Sequence, residues 1–367
     1  MPLTHPTPRR LVAAAAAVLA PLGLAMTATP AAAGPPDDFD LQAHRGGIAL
    51  TVENTLPAFA NALELGVSTL ELDVQITEDR QAVVTHDRRV SGTKCRDTQP
   101  AVAGDPEFPY VGDYVNTLTL AQVRTLDCGS QRLAAYPGQQ LAPGEPMPLL
   151  SEVFDLVDAY KARQVTLNIE TKVEAGAPQE TAPREQFVQV VAGLVDEAGI
   201  ARQVTVQSFD WGTLMRMQQV APKLPVVALT NGQQFLQAGR PGASPWLGGI
   251  DIDDFTTDGR SLQEAYVAAV DSFGADAVSP VHGDPQGGSV ADPGYVPFTT
   301  PELVEAAHAA GMDVVPWTVN DRPTMESLID IGVDGLITDR PDLLREVLAE
   351  RGFPLPRSYE LRDAGRR

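Results

Sequence analysis

The chain has 367 residues, of which 43% are hydrophobic and 20% are charged, a globular composition that excludes a disordered or low-complexity protein. The 48 Asp and Glu residues outnumber the 27 Lys and Arg residues, so the formal net charge is −21. A charge of this sign repels nucleic-acid phosphates and anionic lipid surfaces, which disfavours a DNA-binding or polybasic membrane-binding role.

The first 33 residues have the pattern of a secretory signal peptide. Arg9 and Arg10 precede an apolar run, and the small residues 31–33 follow it, as they do before a cleavage site. The run contains Pro21 and is shorter than the ~20 residues that a membrane-spanning helix needs. We therefore predict a secreted protein without stable membrane insertion, and the paired arginines also allow export by the twin-arginine route.

Beyond residue 34, short strand-like runs alternate with helical segments, which predicts a mainly parallel sheet built from βα units. The predicted strands are residues 41–45, 69–74, 82–87, 165–170, 204–209, 225–230, 276–281, 314–319 and 334–339. The predicted helices are residues 53–66, 149–162, 186–199, 211–221, 262–274, 301–311, 324–332 and 341–352. Asn54 and Thr55 are predicted to cap the first helix.

Nine strands are one more than a (β/α)8 barrel contains, and the connection lengths identify the extra one. Only residues 75–81 separate the second run from the third, fewer than the dozen or so residues that a parallel crossover needs. These two runs are therefore predicted to form a hairpin, which leaves eight parallel strands. The predicted fold is an α/β protein with one (β/α)8 TIM barrel over residues 34–367, with its chemistry at the C-terminal strand ends.

Residues 88–148 are rich in proline and glycine and contain few periodic stretches. A structureless loop of this length is improbable inside a compact domain, so we predict a small insertion beside the active-site face. It contains Cys95 and Cys128, the only two cysteines of the chain. In an oxidising compartment this pair predicts a disulfide, with two free thiols as the alternative. A zinc site is disfavoured because no other ligand has suitable spacing.

Carboxylates mark two of the predicted barrel strands. Glu71 and Asp73 are two residues apart on one strand and therefore share a face, whereas their neighbours along the strand are apolar. Two inward carboxylates would be costly without a counter-ion, and one divalent cation would satisfy both. Glu170 ends the next barrel strand and offers a third oxygen. Such ligands favour Mg²⁺ or Ca²⁺ over zinc, and the alternative is a solvated strand face.

Two histidines also lie at strand ends on the same predicted face. His44 ends the first strand and precedes Arg45 and two glycines, and His86 closes the hairpin strand. Lys172 lies two residues beyond Glu170 and points the same way. Imidazoles exchange protons near neutral pH, and a hard cation with basic side chains stabilises phosphoryl oxygens. The combination is suited to cleavage of a phosphate ester.

These motifs resemble, in order and spacing, those of the glycerophosphodiester phosphodiesterase family. They are AHRGG, ENTLPAF, LELDVQIT, VVTHD, NIETK, QSFD, PWTVND and DGLITDRP, and they extend from Gln42 to about Leu344. The resemblance implies a (β/α)8 barrel with an insertion after the H-D motif, where residues 88–148 lie. Two segments vary in length in this family: the stretch between the H-R-G and E-N-T motifs, and the insertion. The resemblance therefore does not assign the headgroup.

The resemblance also implies a role for each site residue. These roles are an acid–base pair (His44 and His86), metal ligands (Glu71, Asp73 and Glu170), phosphate-binding cations (Arg45 and Lys172) and an aromatic residue lining the substrate site (Trp317). The implied reaction is metal-dependent hydrolysis of a small-molecule glycerophosphodiester to glycerol 3-phosphate and an alcohol. The first nucleophile would be water or the neighbouring glycerol hydroxyl.

Other classes of protein share parts of this pattern. A phospholipase-type barrel, of the phosphatidylinositol phospholipase C or sphingomyelinase D kind, would act on intact or lyso lipid. It is expected to have an apolar or basic rim, whereas the predicted rim loops here are rich in Gly, Pro and Asp. A glycosidase could use the paired carboxylates but would leave two histidines and two cations without a role. A silent binding barrel is disfavoured by the complete set of reactive side chains.

Overall fold

The computed structural model describes residues 39–361, and the predicted signal peptide lies outside them. The strands are β1 (Asp40–Ala43), β2 (Thr69–Ile76), β3 (Ala82–Val84), β4 (Thr166–Thr171), β5 (Val204–Ser208), β6 (Val226–Thr230), β7 (Ala277–Pro280), β8 (Gly283–Asp284), β9 (Val296–Pro297), β10 (Asp313–Val314) and β11 (Gly335–Thr338). The α-helices are α1 (Leu56–Leu65), α2 (Leu120–Val123), α3 (Leu150–Ala159), α4 (Arg184–Ala198), α5 (Trp211–Val220), α6 (Gln233–Leu236), α7 (Leu262–Asp271), α8 (Pro301–Ala309), α9 (Arg322–Asp330) and α10 (Pro341–Glu350).

Eight parallel strands of the described chain form a barrel. Their order is β1, β2, β4, β5, β6, β7, β10 and β11, and β11 pairs with β1. Backbone hydrogen bonds from Asp334 N to Val314 O and from Ile337 N to Pro316 O, both 3.0 Å, join β10 to β11 and close the ring. β3 pairs antiparallel with β2, so the predicted hairpin and the predicted (β/α)8 TIM barrel are confirmed.

One predicted strand is much shorter than expected. The run over residues 314–319 was expected to be regular, but β10 contains only Asp313–Val314. Pro316 has no backbone N–H and cannot donate to a ladder, which interrupts the regular pairing. Val315 and Trp317 still donate to β7, at Val278 O and Pro280 O. The segment therefore keeps its place in the barrel wall.

The alternation of residue types on β2 places its two faces in different surroundings. Leu70, Leu72 and Val74 are fully buried in the main hydrophobic core, which lies between the barrel and its helices. Glu71 and Asp73 alternate with them, so their side chains face the opposite way, into the barrel. The register with β4 pairs Asp73 with Glu170. Apolar packing on one face of β2 thus fixes two carboxylates on the other.

The segment between β3 and α3 has a second, smaller hydrophobic core. Its buried residues are Val83, Val90, Cys95, Tyr110, Val115, Leu118, Val123, Leu126, Cys128 and Met147. Cys95 and Cys128 form a disulfide, with sulfur atoms 2.06 Å apart. The segment is joined to the loop after β1 by hydrogen bonds from Gln139 Nε2 to Ile48 O (2.6 Å) and from Val52 N to Gln140 O (3.1 Å). It therefore packs beside the C-terminal end of β1.

Removing the disulfide is expected to lower the melting temperature by roughly 5 °C. A cross-link across 33 positions removes loop-closure entropy from the unfolded chain and stabilises the fold by about 3 to 4 kcal/mol. Thermal unfolding of a C95A/C128A variant, with and without reductant, measures this. Reductant should lower the melting temperature of the wild type and leave the variant unchanged. Equal values for all four samples would contradict a stabilising bridge.

Candidate active site

The C-terminal ends of the barrel strands surround a cavity of about 930 Å³. Seven of the eight residues predicted for catalysis, substrate binding and metal binding line it: His44, Arg45, Glu71, His86, Glu170, Lys172 and Trp317. The eighth, Asp73, is fully buried and forms ion pairs with Arg45 and Lys172. The structure therefore brings all eight side chains to one place.

Three buried carboxylates form a candidate metal centre. Glu71, Asp73 and Glu170 each offer an oxygen within 4.8 Å of the others. Asp73 Oδ1 is buried without a hydrogen-bond donor in the described part of the chain. A buried carboxylate oxygen normally has a partner, and a divalent cation would supply one. An all-oxygen ligand set suits a hard cation such as Mg²⁺ or Ca²⁺.

The protonation of these carboxylates reflects their crowding. Burial, together with repulsion from Asp73 and Glu170, raises the pKa of Glu71 well above its usual range. Burial also raises the pKa of Glu170 to about 7, although Lys172 opposes this. Burial opposes ionisation of Asp73 as well, but the combined attraction of the surrounding basic groups, of which Arg45 is the strongest, outweighs it, and the pKa of Asp73 is lowered. Without a cation, the cluster therefore retains protons that a free carboxylate would lose.

Arg45 is held by three carboxylates. Its backbone N–H donates to Glu71 Oε2 (2.8 Å), Nη1 donates to Glu53 Oε1 (3.0 Å), and Nε lies 3.1 Å from Asp73 Oδ2. Nη2 has no protein partner among residues 39–361, and the side chain lines the cavity. The guanidinium is therefore oriented by its buried side and offers its free edge to a ligand.

A tight turn after β1 places His44 and Arg45. The predicted strand over residues 41–45 ends at Ala43, and Arg45 has left-handed backbone angles (φ 51°, ψ 33°). Gly46 follows with φ 82° and packs so closely on α1 that a Cβ there would lie 2.9 Å from the Cβ of Ala58. Glycine is the residue that tolerates both the angle and the approach. This turn directs both side chains into the cavity.

Lys172 adds a second cation beyond the end of β4. Its Nζ lies 2.6 Å from Glu170 Oε1 and 3.6 Å from Asp73 Oδ1. The same ammonium lies 5.6 Å from the ring centroid of Phe209, within cation–π range. The positive charge is therefore placed between the carboxylates and an aromatic surface.

His44 is oriented by a carboxylate that sequence reasoning missed. Its Nδ1 lies 2.5 Å from Asp339 Oδ1, at the end of β11. The other oxygen of Asp339 accepts hydrogen bonds from Tyr136 OH and from Asn320 Nδ2 (2.6 Å). Asp339 lies at the end of a predicted strand, as His44 does, so its strand-end position was the available signal. Tyr136 lies in the irregular insertion, where no pattern pointed to it.

His86 is oriented in the same way by its neighbour in sequence. Its Nδ1 lies 2.8 Å from Asp87 Oδ1, and Lys94 Nζ lies 2.9 Å from Asp87 Oδ2. Burial, then repulsion from Arg45 and Lys172, lowers the pKa of His86 to about 4. The imidazole is therefore neutral at pH 7 in the ligand-free protein. Lys94, like Tyr136, lies in the insertion and was not predicted.

Of the two residues predicted to cap α1, only one does so. Thr55 caps the helix, accepting from Ala58 N, as predicted. Asn54 does not cap it: its φ of 54° places it outside the helix, and its Nδ2 donates to Asp73 Oδ2 (2.9 Å). Asparagine tolerates this left-handed angle better than most residues, which allows it to reach this carboxylate. Its role is therefore to orient Asp73.

Aromatic side chains form another wall of the cavity. Trp317 packs edge-on against Phe209 with ring centroids 5.2 Å apart, and its Nε1 donates to Ser279 O (3.0 Å). Phe209 also meets Phe235, which stacks on Trp246 at 4.2 Å. All four rings line the cavity. The site therefore combines a charged wall with an apolar one, as a phosphate ester with an organic alcohol would require.

Comparisons with known proteins identify the family of the chain. The model of the glycerophosphoryl diester phosphodiesterase family matches residues 44–343. A glycerophosphodiester phosphodiesterase of Caldanaerobacter subterraneus subsp. tengcongensis is 28% identical, over 84% of this chain and 98% of its own. The crystal structure of a putative glycerophosphoryl diester phosphodiesterase from Silicibacter pomeroyi has a TM-score of 0.68 and 29% identity, covering 87% of this chain and 96% of that one.

A more distant structure shares the fold. It is the Oleispira antarctica phosphodiesterase in complex with its product sn-glycerol-3-phosphate, with a TM-score of 0.57 and 17% identity over 84% of this chain and 96% of that one. Because the family model spans most of the chain, including every residue of the charged cavity wall described above, the protein belongs to the glycerophosphoryl diester phosphodiesterase family and is a phosphoric diester hydrolase.

Proposed function

We propose that the protein hydrolyses glycerophosphodiesters to glycerol 3-phosphate and an alcohol, using a divalent cation and acid–base catalysis by His44 and His86. The observation that carries this proposal is the convergence of two imidazoles, two fixed cations and three buried carboxylates on one cavity. The family match supports the substrate class. The Oleispira antarctica protein of the same fold has sn-glycerol-3-phosphate as its product, and we propose the same product here.

Glu71, Asp73 and Glu170 would hold one cation, Ca²⁺ or Mg²⁺. Their burial, their all-oxygen chemistry and the unsatisfied Asp73 Oδ1 support this assignment. When bound, such a cation supplies positive charge that stabilises the negative charge developing on phosphoryl oxygens. Gln207 Nε2 donates to Glu71 Oε1 (2.9 Å), and Asn54 donates to Asp73, so the ligands are oriented before any ion binds.

Arg45 and Lys172 would bind the phosphate and offset the acidity of the whole chain. Both side chains line the cavity, and the Nη2 group of Arg45 is free to donate to a phosphoryl oxygen. Their carboxylate partners prevent either side chain from turning away. An anion bound between these cations also weakens their repulsion of His86 and raises its pKa, towards the range in which an imidazole both accepts and donates protons.

The histidines would exchange protons through Nε2. Each Nδ1 is held by a carboxylate, Asp339 for His44 and Asp87 for His86, which leaves Nε2 towards the substrate. One imidazole removes a proton from the nucleophile, either water or the neighbouring glycerol hydroxyl, as its oxygen bonds to phosphorus. The other donates a proton to the alcohol oxygen as the P–O bond breaks. Attack by the glycerol hydroxyl would give a cyclic phosphate, which water then opens.

A substrate panel tests the proposal. Glycerophosphocholine, glycerophosphoethanolamine and glycerophosphoglycerol are each incubated with the protein, with chelator and then with Ca²⁺ or Mg²⁺ restored. We expect release of glycerol 3-phosphate from at least one of them, lost with chelator and recovered with metal. Vesicles of phosphatidylcholine and micelles of lysophosphatidylcholine form the second arm, and turnover of these lipids alone would favour the phospholipase alternative. No turnover of any substrate would refute the proposal.

Metal affinity should depend on pH because Glu170 has a pKa of about 7. A cation must displace the proton that Glu170 keeps below that pH, so binding weakens as the pH falls. We expect the dissociation constant for Ca²⁺ or Mg²⁺, measured by calorimetry, to be about tenfold higher at pH 6 than at pH 8. The dissociation constant of an E170Q variant should depend less on pH. Equal affinities at the two pH values would contradict the raised pKa.

We also propose that the protein is exported. The support is the signal-like pattern of residues 1–33 and the pairing of Cys95 with Cys128, which suits an oxidising compartment. Within residues 39–361, no helix is both long and apolar enough to span a bilayer. N-terminal sequencing of protein recovered from the culture medium should begin near residue 34. Protein found only inside cells, with its N-terminus intact, would contradict export.

A further inference from the structure

Two side chains of the insertion contact the carboxylates that orient the two histidines. Lys94 lies next to Cys95, and its Nζ is 2.9 Å from Asp87 Oδ2, the oxygen that does not hold His86. Tyr136 donates to Asp339 Oδ2, the oxygen that does not hold His44. Each proposed catalytic imidazole thus has a carboxylate behind it, and each carboxylate has a partner from residues 88–148.

We propose that Lys94 and Tyr136 are positioning residues, through which the insertion orients both histidines. This inference rests on the proposed function, because it assumes that His44 and His86 transfer protons. It adds a role for the insertion, whose sequence contains neither histidine and neither carboxylate.

Lys94 holds Asp87 in place by bridging two acids. Its Nζ also lies 2.9 Å from Glu53 Oε1, so one ammonium separates two carboxylates. Without that charge the two acids would repel each other. Glu53 would stay with Arg45, at 3.0 Å, whereas Asp87, 32% exposed, could turn into solvent. His86 would then lose the acceptor at Nδ1 and with it a fixed ring orientation and tautomer.

Tyr136 also holds a carboxylate in place, but it is one of two donors to Asp339 Oδ2, so its effect is smaller than that of Lys94. That carboxylate is buried and also accepts from Asn320 Nδ2 at 2.6 Å, so it keeps one donor on Oδ2 when the phenol is removed. The segment with Tyr136 is itself docked: Gln139 Nε2 donates to the carbonyl oxygens of Ile48 and Thr51. These carbonyls belong to the loop that follows His44. Tyr136 and His44 are therefore tied to the same stretch of backbone.

The test compares K94M, K94R and Y136F with two matched control variants from the insertion. Arg96 follows Cys95 in sequence and pairs with Asp127. R96M therefore removes a cation of the insertion that contacts neither of the two histidines and neither of the carboxylates that hold them. Tyr110 donates to Asp105 in the core of the insertion, and Y110F removes its hydroxyl group, as Y136F removes that of Tyr136. Each variant is assayed for kcat and KM on a glycerophosphodiester, and its melting temperature is recorded.

We expect K94M to lower kcat by roughly 10- to 100-fold and Y136F by roughly 3- to 10-fold, because a misoriented proton-transfer group loses rate while phosphate binding persists. KM should change less than about threefold. K94R should recover most of the rate, and R96M and Y110F should keep wild-type kcat. A second substrate with a nitrophenolate leaving group, which needs no proton, adds a readout of mechanism. K94M should show the leaving-group dependence of H86A, and Y136F that of H44A.

Two results would overturn the inference alone. One is wild-type kcat in K94M and Y136F while H44A and H86A are inactive. The other is a loss of kcat in R96M and Y110F equal to that in K94M and Y136F, which would show a general effect of the insertion. Wild-type turnover in H44A and H86A would instead refute the proposed function, and this inference with it.

Discussion

Replacing His44 or His86 with alanine is expected to lower kcat by about 10²- to 10⁴-fold, the usual contribution of a general acid or base. Both imidazoles line the cavity and each has its Nδ1 held by a carboxylate, so each loss removes an oriented Nε2. KM should change little, because Arg45 and Lys172 would still bind the phosphate. Steady-state kinetics on a glycerophosphodiester measure both parameters.

The leaving group separates the two roles. A nitrophenolate departs without a proton, so the variant that lacks the general acid should recover much of its rate on such a substrate, whereas the variant that lacks the base should not. His308 provides a matched control. It is exposed on α8 and pairs with Asp334, outside the residues that line the cavity, so H308A should keep wild-type rates. Near-wild-type turnover in both H44A and H86A would refute the acid–base assignment.

A double H44A/H86A variant should lose little more than the worse of the two single variants. The two proton transfers act on one reaction, and groups that act as a unit have non-additive effects on rate. If the loss of kcat in the double variant equalled the product of the two single losses, the two histidines would instead contribute independently.

The barrel could be predicted from the sequence because strand length and connection length constrain it strongly. The seven residues between the second and third runs exclude a parallel crossover, and the alternation of Leu70, Glu71, Leu72 and Asp73 indicates which side chains face inward. The same rule predicted Glu170, because parallel strand ends meet at one face of a barrel. The cluster of three carboxylates therefore follows from the two-residue period of the strands together with the placement of their ends.

The supporting residues of the site could not be predicted in that way. Lys94 and Tyr136 lie in an irregular segment, where no period indicates which side chain faces which neighbour. Asn54 has the residue type of a helix cap, and only its left-handed backbone angle and the nearby Asp73 assign it elsewhere. Phe235 and Trp246 lie in the rim after β6 and meet only through tertiary packing. Local patterns thus predict strand-borne residues and miss contacts made by loops.

Substituting Glu71 with glutamine should abolish metal binding and lower kcat/KM by at least about 10²-fold, because a cation at this site would contribute several kcal/mol of charge stabilisation. The variant should still fold. Burial and two neighbouring carboxylates raise the pKa of Glu71, so a neutral amide of the same shape removes a charge that the metal-free site disfavours. Glu71 now accepts from Gln207 Nε2 and from the Arg45 backbone N–H, and the amide oxygen can accept one of these two bonds, so a small loss of stability is expected.

Thermal unfolding provides a readout that is independent of turnover. A ligand at 100 times its dissociation constant stabilises a protein by about 2.7 kcal/mol, so Ca²⁺ or Mg²⁺ should raise the melting temperature of the wild type. E71Q should melt slightly below the wild type in chelator and show no rise with metal. D155N, which removes an exposed carboxylate of α3, should behave as the wild type throughout. A metal-induced rise that persists in E71Q would place the cation elsewhere and remove these three carboxylates from the mechanism.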